Sequence, residues 1–139
     1  HHDPARGDKL LAPLGERVVH RGWMEPEAYR RLLCEADVVV ASARQENFGI
    51  SVVEAVAAGC VPVVPDALAY PESIEDPWFR YPPGRLTTAL RDTILGLGEY
   101  RRRCAAMRES LRRFDWSNVA PADDDALREV VAEHTGDRP

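Results

Sequence analysis

The chain has 139 residues, a formal net charge of −5, 45% apolar residues and 29% charged residues. That length and balance suit one globular domain with a core of its own and disfavour a chain that grips a phosphate backbone unaided. No apolar stretch approaches the roughly 20 residues that span a bilayer, so no membrane partner is expected.

Cys34, Cys60 and Cys104 are widely spaced and form no Cys-x-x-Cys pair. A disulfide framework or zinc site is therefore disfavoured, and neutral thiols in a reducing, cytoplasmic setting are expected. The opening His1-His2-Asp3-Pro4 lacks an initiator Met and any signal-peptide pattern, and reads as the start of a fragment. His1-His2-Asp3 reads as a disordered end rather than a metal site.

In chain order, Lys9–Leu14 reads as the tail of a helix, Arg17–His20 as a short strand and Gly22-Trp23 as the turn after it. Glu25-Pro26-Glu27 opens a helix, with proline tolerated in the first turn and acids favoured there. Tyr29, Leu32, Leu33 and Ala36 give that helix one buried face. Asp37–Ser42 is apolar on both faces, as a strand covered on both sides must be. A loop over Ala43–Phe48 and a helix over Gly49–Ala58 follow. Gly59 ends that helix and Val61–Val64 begins a second buried strand, completing a βαβ crossover.

Asp66–Pro71 reads as a loop, with one helical turn after Tyr70-Pro71-Glu72. Asp76-Pro77-Trp78 is a turn, and Phe79–Tyr81 a short strand closed by Pro82-Pro83-Gly84. Leu86, Leu90, Ile94 and Leu97 mark one helix, and Tyr100, Cys104, Met107, Leu111 and Phe114 mark the next. A last helix starting near Pro121 would carry Asp123-Asp124-Asp125 in its first turn and Leu127, Val130 and Val131 on its inner face. The alternation predicts an α/β domain with a Rossmann-like, three-layer parallel sheet. Residues 1–139 would form one partial domain that lacks its first strands, with C-terminal helices from about residue 84 onward. A sheet short of strands leaves an apolar edge, so self-association of the fragment is expected.

Two acids carry the chemistry. Glu46 lies on the loop leaving the first buried strand, and Glu54 lies one and a half turns into the following helix. A ligand at the carboxyl edge of the sheet would meet both, together with the N–H groups of Phe48, Gly49 and Ile50 at the helix start. Gly49 would allow close backbone approach. Ser51 and Glu54 share the one polar stripe of an otherwise apolar helix. Either that stripe faces a cleft, where the Glu54 carboxylate takes a vicinal diol such as ribose, or it faces water and only solubilises the helix. The arginines from Arg101 to Arg113 read as a solvated face alternating with Glu99 and Glu109, with RNA contact as the alternative.

The run Glu46-Asn47-Phe48-Gly49-Ile50 through Glu54-Ala55, then Ala58-Gly59-Cys60-Val61-Pro62-Val63-Val64, resembles the Glu-x7-Glu signature of retaining GT4-type glycosyltransferases of the GT-B fold. Within them, His20-Arg21-Gly22-Trp23, Gly59-Cys60, Leu68-Ala69-Tyr70-Pro71-Glu72 and Phe114-Asp115-Trp116 are most similar to the tRNA-queuosine α-mannosyltransferases. The likeness runs from about Val18 to Val131. It implies a C-terminal, nucleotide-sugar-binding domain in which Glu54 binds the donor ribose and Glu46, the residue nearest catalysis, holds the hydroxyls of the transferred sugar. Asn47, Phe48, Gly49 and Ile50 would complete the donor site, Tyr70 and Glu72 would border it, and Gly22 and Trp23 would lie near the base. The donor would be GDP-mannose and the acceptor queuosine in tRNA, held mainly by an N-terminal domain outside this chain. No metal or other cofactor is implied, and the fragment alone would be nearly inactive.

The family's His-Glu-Phe-Phe-Gly run is here Gln45-Glu46-Asn47-Phe48-Gly49, and its Gly-Gly turn is replaced by Ala67-Leu68-Ala69-Tyr70. Other readings stay open: a half-domain that binds a nucleotide or protein without chemistry, a transferase using a UDP-sugar with a glycan or lipid acceptor, and a nucleotide-sugar epimerase on the same scaffold.

Overall fold

The computed structural model describes residues 11–135, and a parallel three-stranded sheet organises them. The elements are α1 (Pro26–Glu35), β1 (Val38–Val40), α2 (Ile50–Ala58), β2 (Val61–Pro65), α3 (Tyr70–Ser73), β3 (Arg80–Tyr81), α4 (Leu86–Leu95), α5 (Leu97–Ser110) and α6 (Trp116–Thr135). Short 3-10 turns occupy Ala12–Arg17, Pro77–Phe79 and Leu111–Phe114. The strands lie in the order β1-β2-β3, with Val38 opposite Val61 and Val64 opposite Arg80. Parallel neighbours require crossovers; α2 supplies the first, and α3 with the following 3-10 turn supplies the second.

The core sits between β2 and the inner faces of α2 and α5. Val61, Pro62, Val63 and Val64 are all buried, as are Val52, Val53, Ala55 and Val56 of α2. Tyr70, Ile74, Phe79, Cys104, Met107 and Leu111 join the same cluster. Three valines in a nine-residue helix are poor intrinsic helix formers, so packing rather than propensity holds α2. Gly59 stops it at φ +120, its N–H donating to the Ala55 and Val56 carbonyls.

A proline inside the central strand is normally excluded because it cannot donate to the ladder. The register explains Pro62. Val61 N–H donates to Asp37 O and Ala41 N–H to Val63 O, so Val61 and Val63 face β1. Pro62 faces the other side, where β3 pairs only with Val64 and Pro65. Among the described residues no ladder partner stands opposite Pro62 on that side.

Three expectations need correction. Arg17–His20 is not a strand: a 3-10 turn runs to Arg17, the chain leaves it without a ladder partner, and Val19 is 83% exposed. Of the Lys9–Leu14 segment, read as a helix tail, Leu11 is helical and Ala12–Leu14 belong to the 3-10 turn, kinked at Gly15, while Lys9 and Leu10 lie outside the described residues, as do His1-His2-Asp3. Second, β1 is not covered on both sides. It is an edge strand, and Val40 is 42% exposed. Third, the last helix begins at Trp116, before Pro121, because Asp115 accepts from the Ser117 N–H at 2.9 Å and caps it. Asp123, Asp124 and Asp125 therefore fall mid-helix, and Leu127, Val130 and Val131 are exposed at 64%, 52% and 59% instead of facing a core.

The arginines of α5 and its continuation act as braces. Arg101 pairs with Asp37 at the start of β1, and Arg103 pairs with Asp76 while lying 4.7 Å over the Trp78 ring. Arg108 donates to Ala57 O at the end of α2 (2.6 Å), and Arg113 to Glu72 O (2.7 Å) and Glu75 (2.5 Å). The basic stretch is exposed, as expected of a solvated face, with Arg112 paired to Glu109 at the surface, and Arg101, Arg103, Arg108 and Arg113 also tie the C-terminal helices to the sheet and its loops. From β3, Arg80 donates to the Pro71 and Ile74 carbonyls, and its Nε stands 3.0 Å from Asp66, off the hydrogen-bond axis, as a charge contact.

Cys60 and Cys104 are buried and Cys34 is exposed, all three as free thiols. Burial pushes the Cys104 thiol up to about 11, so it stays protonated at neutral pH. Among the described residues no helix is long and apolar enough to cross a membrane.

Tyr81 of β3 sends its hydroxyl across to the carbonyl of Ala41, just beyond β1, at 2.8 Å in a buried contact. Tyr81→Phe leaves that carbonyl without its partner while keeping the ring. The expected loss is about 1–3 kcal/mol of unfolding free energy, read from the denaturant midpoint; an unchanged midpoint would show the bond to be dispensable.

Candidate functional site

In a parallel sheet every strand ends on the same edge, so the loops after β1, β2 and β3 gather there. The loop after β1 carries Glu46, Asn47 and Phe48 into α2 through Gly49. Gly49 is the N-cap residue, at φ +80 and ψ 37. A Cβ at this position would stand 2.9 Å from the Tyr70 ring, which is itself 1% exposed. Only glycine meets both the left-handed backbone and the contact.

Glu46 folds back over this turn. Its Oε1 accepts from the N–H groups of Gly49 (2.9 Å), Asn47 (3.1 Å) and Phe48 (3.3 Å). The carboxylate therefore pins the turn that leads into α2: the Asn47 and Phe48 N–H groups belong to the loop, and that of Gly49, the N-cap, to the helix start. The Gly49 N–H, then that of Phe48, holds the Glu46 carboxyl below the usual range against an opposing effect of burial. The sequence had assigned the Phe48 and Gly49 N–H groups to a sugar or phosphate; here Glu46 itself takes them. All three bonds converge on one oxygen, which leaves Oε2 able to accept from a hydroxyl.

Glu54 is exposed on α2, together with Ile50, Ser51 and Ala57. Tyr29 of α1 donates its hydroxyl to Glu54 Oε2 at 3.2 Å. Burial first, then the bond to Glu54 and its charge, push the Tyr29 phenol above its ordinary value. Glu54 lies on the wall of a cleft of about 640 Å³ between α2, α5 and the Leu111–Phe114 turn. Phe48, Ile50, Arg108, Arg112 and Phe114 share that wall. Phe48 and Phe114 meet edge-to-face at 5.1 Å. The cleft lies within the usual size range of small-ligand sites and offers two guanidinium groups, three acids (Glu54, Glu109 and Asp115) and two aromatic rings; Arg112 pairs with Glu109 at 3.2 Å.

Of the expected site residues, the structure brings Phe48, Ile50 and Glu54 together in this cleft. Glu46, Asn47 and Gly49 sit at the helix start and are not part of its wall. Tyr70 is a core residue packed beside Gly49 and close enough to Glu46 for that charge to help raise its phenol, after burial. Glu72 is exposed on α3, where its carbonyl receives Arg113. Gly22 (φ +91) and Trp23 (76% exposed) lie in the turn before α1, where the His20 ring nitrogen Nε2 stands 3.3 Å and 3.1 Å from their carbonyl oxygens. Among the described residues no cluster of three His, Cys, Asp or Glu side chains could hold a metal ion.

Tyr29, Arg108, Arg112 and Phe114 were not singled out as site residues from the sequence. Tyr29 carried a usable signal: a phenol on the packed face of an amphipathic helix must find an acceptor for its hydroxyl. The cleft side chains of α5 carried none, because nothing local says which turn of a long helix meets α2.

The depressed Glu46 carboxyl makes stability pH-dependent with a defined sign. The folded state holds the ionised form, so this contribution is present above the ordinary carboxylate range and is lost as pH falls through the lower folded value. Asp76 and Asp115 are depressed as well, by Arg103 and Ser117 respectively, so the difference between two proteins isolates Glu46. Melting curves of wild type and Glu46→Gln should differ most at neutral pH and converge at acid pH; a constant difference across pH would contradict the capping role.

Residues 3–99 match the family described as glycosyl transferases group 1. The matched span includes the sheet and α4 and ends inside α5. The tRNA-queuosine alpha-mannosyltransferase of Drosophila melanogaster is 36% identical over 69 residues, covering 50% of this chain and 18% of that protein. The chain thus spans well under a quarter of that relative's length. No solved structure matches. The parallel sheet, α2 and the Glu46–Glu54 frame fall within the matched span, and the chain belongs to the glycosyl transferases group 1 family.

Proposed function

We propose that the chain is the donor-binding part of a retaining hexosyltransferase of the GT-B fold. The donor is GDP-mannose and the acceptor is queuosine in tRNA, held mainly by parts of the protein beyond this chain. The name of the fruit-fly relative supports the donor sugar and acceptor. The observation that carries the reading is Glu54: an exposed carboxylate on the wall of a ligand-sized cleft, next to the helix start of a glycosyltransferase-family domain.

In this reading Glu54 accepts the ribose hydroxyls through charge-assisted hydrogen bonds. Glu46 stays pinned through Oε1 and offers Oε2 to the hydroxyls of the sugar. Phe48 and Phe114 form an apolar floor, while Arg108 and Arg112 supply positive charge to the departing diphosphate. Catalysis then rests on electrostatic stabilisation rather than on a protein nucleophile. A reducing, cytoplasmic setting is part of the same proposal, supported by three widely spaced cysteines with no Cys-x-x-Cys pair.

A binding half-domain without chemistry is the second reading. The engagement of the Phe48 and Gly49 N–H groups by Glu46 favours it, since those donors are not free for a donor sugar. Calorimetry with GDP-mannose, UDP-glucose and their nucleotides separates the possibilities. We expect GDP-mannose to bind and Glu54→Gln to weaken it roughly tenfold to a hundredfold, the worth of a hydrogen bond to a charged group. Absence of binding by every nucleotide and nucleotide sugar would overturn the donor assignment. Binding without transfer in the full-length protein would leave only the half-domain.

A further inference from the structure

We infer that Tyr29 is a positioning residue for the ribose: its hydroxyl fixes the Glu54 carboxylate in the orientation that accepts a vicinal diol, and the site thereby distinguishes ribonucleotides from nucleotides lacking those hydroxyls. The inference rests on the reading of Glu54 as the ribose ligand and adds the residue that makes it selective.

The geometry gives three reasons. An exposed glutamate on a helix has several rotamers, and ordering it costs up to about 1.5–2 kcal/mol of side-chain entropy. Tyr29 has a stiff, partly buried ring on α1, which packs against α2, so it presents its hydroxyl from a fixed place. The 3.2 Å bond to Oε2 spans 25 residues of sequence and links the two helices.

The bond also leaves the right capacity. A carboxylate has about four acceptor positions, and the phenol occupies one of them on Oε2. Oε1 and the remaining position on Oε2 stay open for two neighbouring hydroxyls. The phenol is neutral, so it orients the carboxylate without neutralising it. The ion pairs among the described residues do not include Glu54. A lysine or arginine in the same place would compete with the diol for the charge. Tyr29 itself is not on the cleft wall, so it acts through Glu54.

The test is calorimetry on the 139-residue chain with GDP and its dideoxyribose analogue, for wild type, Tyr29→Phe, Glu54→Gln and the double variant, with melting temperatures recorded for each. We expect Tyr29→Phe to weaken GDP about five- to tenfold, to leave the dideoxy analogue unchanged, and to have no further effect once Glu54 is Gln. Glu54→Gln weakening GDP while Tyr29→Phe does not would overturn the inference and leave the ribose reading standing. Equal losses for both ligands in Tyr29→Phe would mark a structural role and also overturn it. Indifference of GDP binding to Glu54→Gln would overturn the ribose reading and the inference with it. Should Tyr29→Phe fail to fold, ultraviolet titration of the wild-type phenols decides: GDP must alter the Tyr29 titration and the dideoxy analogue must not, and an identical response to both contradicts the inference.

Discussion

At Gly49 the chain leaves the loop after β1 and enters α2 with a left-handed backbone, and the Tyr70 ring occupies the space any side chain would need. Much of the site depends on this contact. The turn aligns three successive N–H groups on one Glu46 oxygen and sets the direction of α2. That direction buries Val52, Val53, Ala55 and Val56 against β2 while Glu54 points outward. A left-handed residue with a Cβ would cost roughly 1–2 kcal/mol before any clash is counted. The Tyr70 contact closes off the small movements that might relieve it. One glycine, held by a ring from the next crossover, couples the packing of the core to the placement of both acids.

The two glutamates therefore have different physical situations despite their shared motif. Glu46 is a structural anion, engaged with backbone dipoles on one side. Glu54 is a surface anion, restrained among the described residues by a neutral phenol from α1. An acid tied to the backbone keeps a fixed position as a ligand arrives, whereas an acid held by one hydrogen bond keeps most of its accepting capacity. Under the proposed donor-binding function, holding one sugar rigidly and gripping a second through its hydroxyls would use both kinds. The arginines of α5 close the arrangement from the other side, since Arg108 joins the end of α2 to the helix that forms the opposite wall of the cleft.

Much of the scaffold was legible because it is written in local pattern. The apolar runs at Val38–Val40 and Val61–Pro65, the glycines at 49 and 59, and the apolar periodicity of α4 and α5 all act over a few residues. Failures came where tertiary context decides. Val18 and Val19 look like a strand, but a strand exists only through a neighbour, and the described residues give it none. Pro121 resembles a helix start, yet the Asp115 side chain capped the helix earlier. The arginines of α5 are exposed as the sequence suggests, but their bracing role was not legible, because sequence does not reveal that Asp37, Asp76 and the Ala57 carbonyl lie within their reach. Within the site, the two acids and their spacing could be read directly. Tyr29 signalled that its hydroxyl needs an acceptor but not that the acceptor is Glu54, and the cleft wall on α5 gave no signal, because these partners are far away in sequence.

The most direct measurement is a crystal structure of this chain soaked with GDP-mannose. The account predicts ribose hydroxyl oxygens within hydrogen-bond distance of Glu54, with the Tyr29 bond retained and Glu46 still capping α2. A nucleotide bound elsewhere, with Glu54 facing only solvent and Tyr29, would contradict it.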